Sequence, residues 1–298
     1  MWLVFGLISS LLFATISVVD SICVRNIFHR PWIGAIVGAI STIFVVFAPL
    51  PFIFPLIIWN TTTTSVLIAA ILAGIFLQLS NVLYFQALGY SEAGIVSAYW
   101  NIVPIVVVIS SYFLFGEKLT ILELCGVFIL IFASASLYLL DENKQMRWLS
   151  FLLMLIASIS LSLMYLLEEY VFRTTPFIQG FILIHAGLVA FGIIPLLWPH
   201  ARGIATLNAN ELLRYSKIFI FIEIMNIAAV AFSQRAIDIG LPGRVSALET
   251  TMPGFTFIIA FLIVILIPAF GDKRILNKLL EKLSLVALMT LGVWMISG

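Results

Sequence analysis

The chain has 298 residues, 63% of them hydrophobic and 10% charged, with a formal net charge of +1. A mean hydropathy of +1.20 excludes a soluble globular domain, which could not hide that much apolar surface from water. The small net charge gives no electrostatic basis for a nucleic-acid partner, and two cysteines, Cys23 and Cys125, are too few for a disulfide framework.

Ten apolar runs follow one another, at about 2–24, 33–57, 66–87, 93–114, 120–140, 148–167, 177–197, 217–234, 243–268 and 283–297. The first has no basic leader and no small-residue cleavage site, so it reads as a retained span and not a signal peptide. The last, about 15 residues long, rises only ~22 Å against a hydrocarbon core of ~30 Å. It must draw in residues from Ile275 onward or sit in a thinned bilayer. Trp2, Trp32, Trp59, Trp148 and Trp198 fall at run ends, where an amphipathic ring prefers the headgroup level. Trp294 lies near an end as well, and Trp100 alone is mid-run. The expectation is an all-α integral membrane protein with ten transmembrane helices, multi-pass, in the plasma membrane, as a monomer or dimer.

The runs are duplicated. Gln86–Pro104 and Arg235–Pro253 have equal length and agree at Ala87/Ala236, Gly94/Gly243, Val96/Val245, Ser97/Ser246, Ala98/Ala247 and Pro104/Pro253. Phe115-Gly116-Glu117-Lys118 recurs as Phe270-Gly271-Asp272-Lys273 after the ninth run. The expected units are 1–143 and 144–298. Five spans per unit is an odd number, so the second unit enters the membrane in the opposite direction, giving two inverted five-helix repeats. Such repeats mark secondary transporters with a site at the repeat interface. Loops after odd runs carry eleven Arg and Lys, against Lys118, Arg173, Arg235 and Arg244 after even runs, and this bias puts both termini outside.

Gln86-Ala87-Leu88, Ala93-Gly94, Pro104, Phe115-Gly116-Glu117-Lys118-Leu119-Thr120 and Gly126, in this duplicated setting, resemble the drug/metabolite transporter superfamily and its EamA-type members. The resemblance implies inverted repeats around a central cavity, movement of small organic metabolites, and both termini in the cytoplasm. The second copy departs from the pattern, with Gly271-Asp272 for Gly-Glu and a long basic stretch to Lys282.

Candidate site residues come from polar groups inside the runs. Pro104 and Pro253 kink runs four and nine and free the carbonyls of Trp100 and Glu249, which are repeat equivalents. An aromatic face and a carboxylate suit an amine or quaternary ammonium through charge pairing and cation–π attraction. Gln78 and Asn81, and Glu223 and Asn226, are each three residues apart on one helix face, and the two faces correspond after the repeat offset; for Gln78 and Asn81 interhelical hydrogen bonding is the alternative to substrate contact. Tyr84 and Tyr99 are candidate cavity aromatics. Glu223, Glu249 and mid-span His185 are candidates for proton coupling, protons being the expected coupling ion. Asp20 and Glu168-Glu169, at span ends, read as solvated or paired with Arg25 and Arg173, with a cation vestibule as the alternative. Gly34 and Gly38 read as a close-packing pair.

No GxxxxGK, HExxH or GxSxG motif occurs, and Cys and His are too few for a metal cluster, so an enzyme, a cofactor and a metal are not expected. The expected function is alternating-access transport of a small cationic or zwitterionic amine or amino-acid-like solute. A lipid-linked or sugar-nucleotide flippase on the same fold is the alternative, and it would need a lateral opening and basic residues for phosphate.

Overall fold

A computed structural model describes residues 1–54, 62–91, 93–100, 102–116, 119–139, 147–207, 209–240, 242–266 and 278–297. Trp59, the Glu117-Lys118 and Phe270–Lys273 motif positions and the 143/144 boundary lie outside them.

With no water in a bilayer to take up free backbone groups, each apolar run closes its own hydrogen bonds as a helix. The first is α1, Trp2–Asn26. The second starts as α2, Ile33–Thr42, and passes through a π turn at Ile43–Phe47 before α3, Leu50–Ile53. Then come α4, Thr64–Leu88, the paired α5, Ala93–Tyr99, and α6, Ile102–Phe115, and α7, Ile121–Leu139. The second half holds α8, Arg147–Phe172, and α9, Phe177–Ile193, followed by the short α10, Pro199–Leu207, and α11, Ala209–Arg214. It ends with α12, Ser216–Ile239, the paired α13, Pro242–Glu249, and α14, Met252–Leu266, and α15, Leu279–Ser297. The last run does recruit residues upstream, starting at Leu279.

Among the described residues eight helices are long and apolar enough to cross a membrane, where ten runs were expected. Ile102–Leu114 and Ile121–Ala133 form shorter apolar helices. The fourth run is interrupted at Trp100, between α5 and α6, four residues before Pro104. The expected bare carbonyl is also corrected: Val103 N–H donates to the Trp100 carbonyl at 2.9 Å. In the ninth run the chain leaves the helix just after Glu249. Thr250 and Thr251 return their N–H groups to the Ala247 and Leu248 carbonyls at 3.1 and 3.0 Å. Their hydroxyls donate to the same two carbonyls at 2.6 and 2.8 Å, so the break leaves neither acceptor bare.

Part of the Phe-Gly-Glu-Lys-Leu-Thr motif has a structural cause. Gly116 ends α6 at φ +70°, a left-handed conformation that favours glycine. Thr120 and Glu123 then form a capping box on α7: Thr120 N–H donates to Glu123 Oε2 at 2.7 Å, and Glu123 N–H to Thr120 Oγ1 at 3.3 Å.

The helix α4 runs through the centre of the bundle, packed on α8 and α9. A Cβ on Gly74 would fall 2.0 Å from the Ile184 carbonyl oxygen, and one on Gly187 2.4 Å from the Ile71 carbonyl oxygen, so α4 and α9 touch backbone to backbone. Gly126 and Gly292 bring α7 and α15 together in the same way. Of the glycine pair expected to close-pack, Gly34 does so against the Phe85 ring, but a Cβ on Gly38 would meet only Glu223 Oε2 at 3.8 Å. Arg244 pairs with Glu123 at 2.5 Å, tying α13 to α7, and Arg173 pairs with Glu169 at 2.5 Å.

Candidate functional site

A cavity of about 170 Å³ opens inside the bundle, lined chiefly from α1, α2, α4, α8 and α12 with α13 closing one side. Of the expected site residues, Trp100, Glu249, Glu223, Asn226, Asn81, Tyr84 and His185 line it. Gln78 and Tyr99 do not. Gln78 is 1% exposed and donates Nε2–H to the Ala35 carbonyl at 2.9 Å, so interhelical bonding takes the amide the polar face would have offered. Tyr99 is buried against Phe151, with ring centroids 5.5 Å apart.

Two groups of acids emerge. In the first, Thr42 Oγ1–H donates to Glu223 Oε1 at 2.6 Å and Asn226, one turn on, also donates to Glu223. Asp20 lines the same cavity, accepts the Tyr84 hydroxyl at 3.4 Å and lies near enough to Glu223 for the two charges to interact. This corrects the expectation that Asp20 is solvated or paired with Arg25: late in α1 it is 8% exposed and turned inward. Trp100 joins this group through Tyr84, ring centroids 6.0 Å apart.

The second group centres on Glu249. Ser233 Oγ–H donates to Glu249 Oε1 at 2.6 Å, and the Tyr165 hydroxyl donates to Oε2. Behind it Glu168, fully buried, accepts the Gln234 amide. Among the described residues Glu168 Oε2 and Gln234 Oε1 have no hydrogen-bond partner. Glu168 is therefore neither solvated nor paired with Arg173, which takes Glu169 instead.

Hydrogen counting separates the roles these acids can play. A hydroxyl has one hydrogen, yet Thr42 Oγ1 lies 2.6 Å from Glu223 Oε1 and 3.0 Å from the Gly38 carbonyl. With Glu223 ionised, Thr42 donates to it. With Glu223 protonated, the carboxyl donates to Thr42, whose hydrogen turns to Gly38. Both protonation states are satisfied without moving a heavy atom. Glu249, by contrast, accepts one hydroxyl on each oxygen, which suits the acceptor-only, ionised form.

His185 donates Nδ1–H to the Phe181 carbonyl at 2.8 Å, since a carbonyl only accepts, and stacks on the Phe181 ring at 4.0 Å. Its Nε2 is the acceptor in the neutral ring. No lysine or arginine is among the described lining residues, and among the described residues no three His, Cys, Asp or Glu are grouped to hold a metal.

Sequence reasoning missed Thr42, Tyr165, Ser233 and Gln234. The signal for two of them was present: Ser233 and Gln234 lie ten and eleven residues after Glu223, on the same face of α12.

An all-helical, multi-pass integral membrane protein with an acidic interior cavity is what these observations define. The model of the EamA-like transporter family, within the drug/metabolite transporter superfamily, matches residues 1–139. No curated protein matches the chain in sequence. A solved structure titled only "Crystal structure of protein" is similar at a TM-score of 0.62 and 15% identity, over 97% of this chain and 98% of that one. At that identity the likeness speaks for the fold alone.

Proposed function

We propose that the chain is a secondary transporter that carries a small cationic or zwitterionic amine by alternating access. The single observation that carries this reading is a cavity lined by Asp20, Glu223 and Glu249, with no lysine or arginine among the described lining to neutralise them. Buried carboxylates inside a membrane are costly and need a partner. An ammonium group or a proton supplies one. Glu249 anchors the ammonium, Trp100 and Tyr84 offer aromatic faces, and Asn226 and Asn81 complete the lining. Glu223, with its two satisfied protonation states, carries the coupling proton, and His185 is a second relay candidate.

In the same reading the chain crosses the membrane ten times as two inverted repeats, 1–143 and 144–298. The aligned blocks and the matching breaks before Pro104 and Pro253 support this. The acidic lining disfavours the flippase alternative, whose phosphate would meet repulsion.

The test is single-cysteine labelling in the full chain. Cysteines at Asn81, Asn226 and Trp100 react with a water-soluble thiol reagent, and a panel of alkylamines slows the reaction. Cysteines at Arg30 and Lys217 label from one face of the membrane and at Arg173 from the other. Inaccessible cavity positions, or no protection by any amine, would sink the reading.

A second expected result concerns pH. Asp20 from α1, Thr42 from α2 and Asn226 from α12 face Glu223. Transport in proteoliposomes varies with pH in the wild type, and Glu223→Gln flattens that dependence because the amide cannot load and unload a proton. A variant with the full wild-type profile would remove Glu223 from coupling.

A further inference from the structure

One face of α12 reads Glu223, Asn226, Ile227, Val230, Ser233 and Gln234, and all six line the cavity. Their spacing of 3, 1, 3, 3 and 1 residues keeps them on a single stripe. The stripe is polar at both ends and apolar between. Each end meets a different set of acids: Glu223 faces Asp20, whereas Ser233 and Gln234 bind Glu249 and Glu168.

Resting on the amine reading above, we propose that the cavity binds a dication, an α,ω-diamine whose two ammonium groups occupy the two acid sets and whose alkyl chain lies along the apolar middle of the stripe. Two carboxyls close together in a dry site do not both ionise, so each set presents one negative charge and the cavity matches two positive charges. The second set is also short of donors. Gln234 Oε1, on a cavity-lining side chain 1% exposed, and Glu168 Oε2 have no partner among the described residues. An ammonium carries three N–H donors, enough for Gln234 and Glu249 together. Phe13, Val103, Leu161 and Leu188 join Ile227 and Val230 in lining the cavity, an apolar surface suited to methylenes.

The stripe also sets a length. Ten residues from Glu223 to Ser233 rise roughly 15 Å. Subtracting about 2.8 Å for a charge-assisted hydrogen bond at each end leaves about 9–10 Å between nitrogens. At roughly 1.27 Å of extension per bond, that is about seven to eight bonds between nitrogens, a diamine of about six or seven carbons.

Binding of a homologous series to the purified full chain decides the matter. The probes are 1,n-diaminoalkanes from two to twelve carbons and n-alkylamines of equal length, followed by calorimetry. The best diamine, near seven carbons, binds at least about 30-fold tighter than the matching alkylamine. Asp20→Asn or Glu168→Gln alone leaves one ionisable carboxyl in its set and keeps the advantage, whereas Asp20→Asn combined with Glu223→Gln empties the first set of charge and shrinks it to a few-fold. Diamines binding no tighter than alkylamines, or affinity rising with length without a maximum, would overturn the dication while leaving the amine reading standing. Binding of neither series would overturn both. The wild-type series is decisive even if a variant does not fold.

Discussion

Glu249→Gln lowers amine affinity by a factor of about 100 or more while the protein still folds. Its carboxylate accepts Ser233 and Tyr165, one on each oxygen, and no described cavity-lining residue is a lysine or arginine. Removing one partner of a hydrogen-bonded, desolvated charge pair costs about 2–5 kcal/mol, which spans factors from tens to thousands. The amide keeps the shape and one acceptor, so Ser233 or Tyr165 still has a partner. Tyr165→Phe and Ser233→Ala each remove one neutral donor to a charge and cost about tenfold. Calorimetric titration with an alkylamine, with size-exclusion profiles as the check on folding, measures all three. If Glu249→Gln bound amines as the wild type does, Glu249 would be a structural acid held by its hydroxyls and the anchor would lie elsewhere.

Gly74→Val destabilises the bundle by at least about 3 kcal/mol, a larger cost than typical overpacking because the new atoms meet backbone. The nearest atoms to a Cβ there are the Ile184 carbonyl oxygen at 2.0 Å, the Leu188 nitrogen at 2.5 Å and the Gly187 carbonyl carbon at 2.8 Å. None can rotate away as a side chain would. The helices α4 and α9 must separate, and both their packing and the buried Gln78 to Ala35 bond beside them loosen. In detergent the melting midpoint falls by about 10 °C. Gly203→Val, at a position open on every side, leaves the midpoint within about 2 °C and controls for loss of glycine as such. An unchanged midpoint in Gly74→Val would mean the two helices are not in backbone contact.

The helical, membrane-spanning character was legible because hydrophobic runs of this length admit few other structures. The breaks were legible only in part. Pro104 and Pro253 marked the right turns of helix, but not that Val103 would reclaim the Trp100 carbonyl or that two threonine hydroxyls would close the other break. Within the cavity, Glu223 and Asn226 stood out because a lipid-facing side should be apolar. Gln78 stood out by the same logic and instead bonds a neighbouring helix, since periodicity identifies a protein-facing side without saying whether the neighbour is cavity or backbone. Asp20 and Glu168 were misjudged because distance from a run's end measures depth but not direction. A buried carboxyl near a run's end can pair with an arginine of its own helix, as Glu169 does with Arg173, or be held by a neighbouring helix, as Glu168 is by Gln234. Tyr165 and Thr42 gave no signal of their own, being ordinary residues in apolar helices until the fold sets them against a carboxylate.

The interruptions at Trp100 and at Thr250-Thr251 have a mechanical meaning. A continuous helix resists bending because every turn is tied to the next by i→i+4 bonds, and at these two places the described backbone replaces them with tighter i→i+3 bonds. What remains at each place is a joint. Each break divides its run into two segments, α5 and α6 in one and α13 and α14 in the other, whereas α4 and α9 are held backbone to backbone by glycine. Glu249 is the last residue before its joint and Trp100 sits in the other, so a small rotation there swings both side chains through several ångströms. Bending at these two places would change the shape of the cavity without unpacking the core.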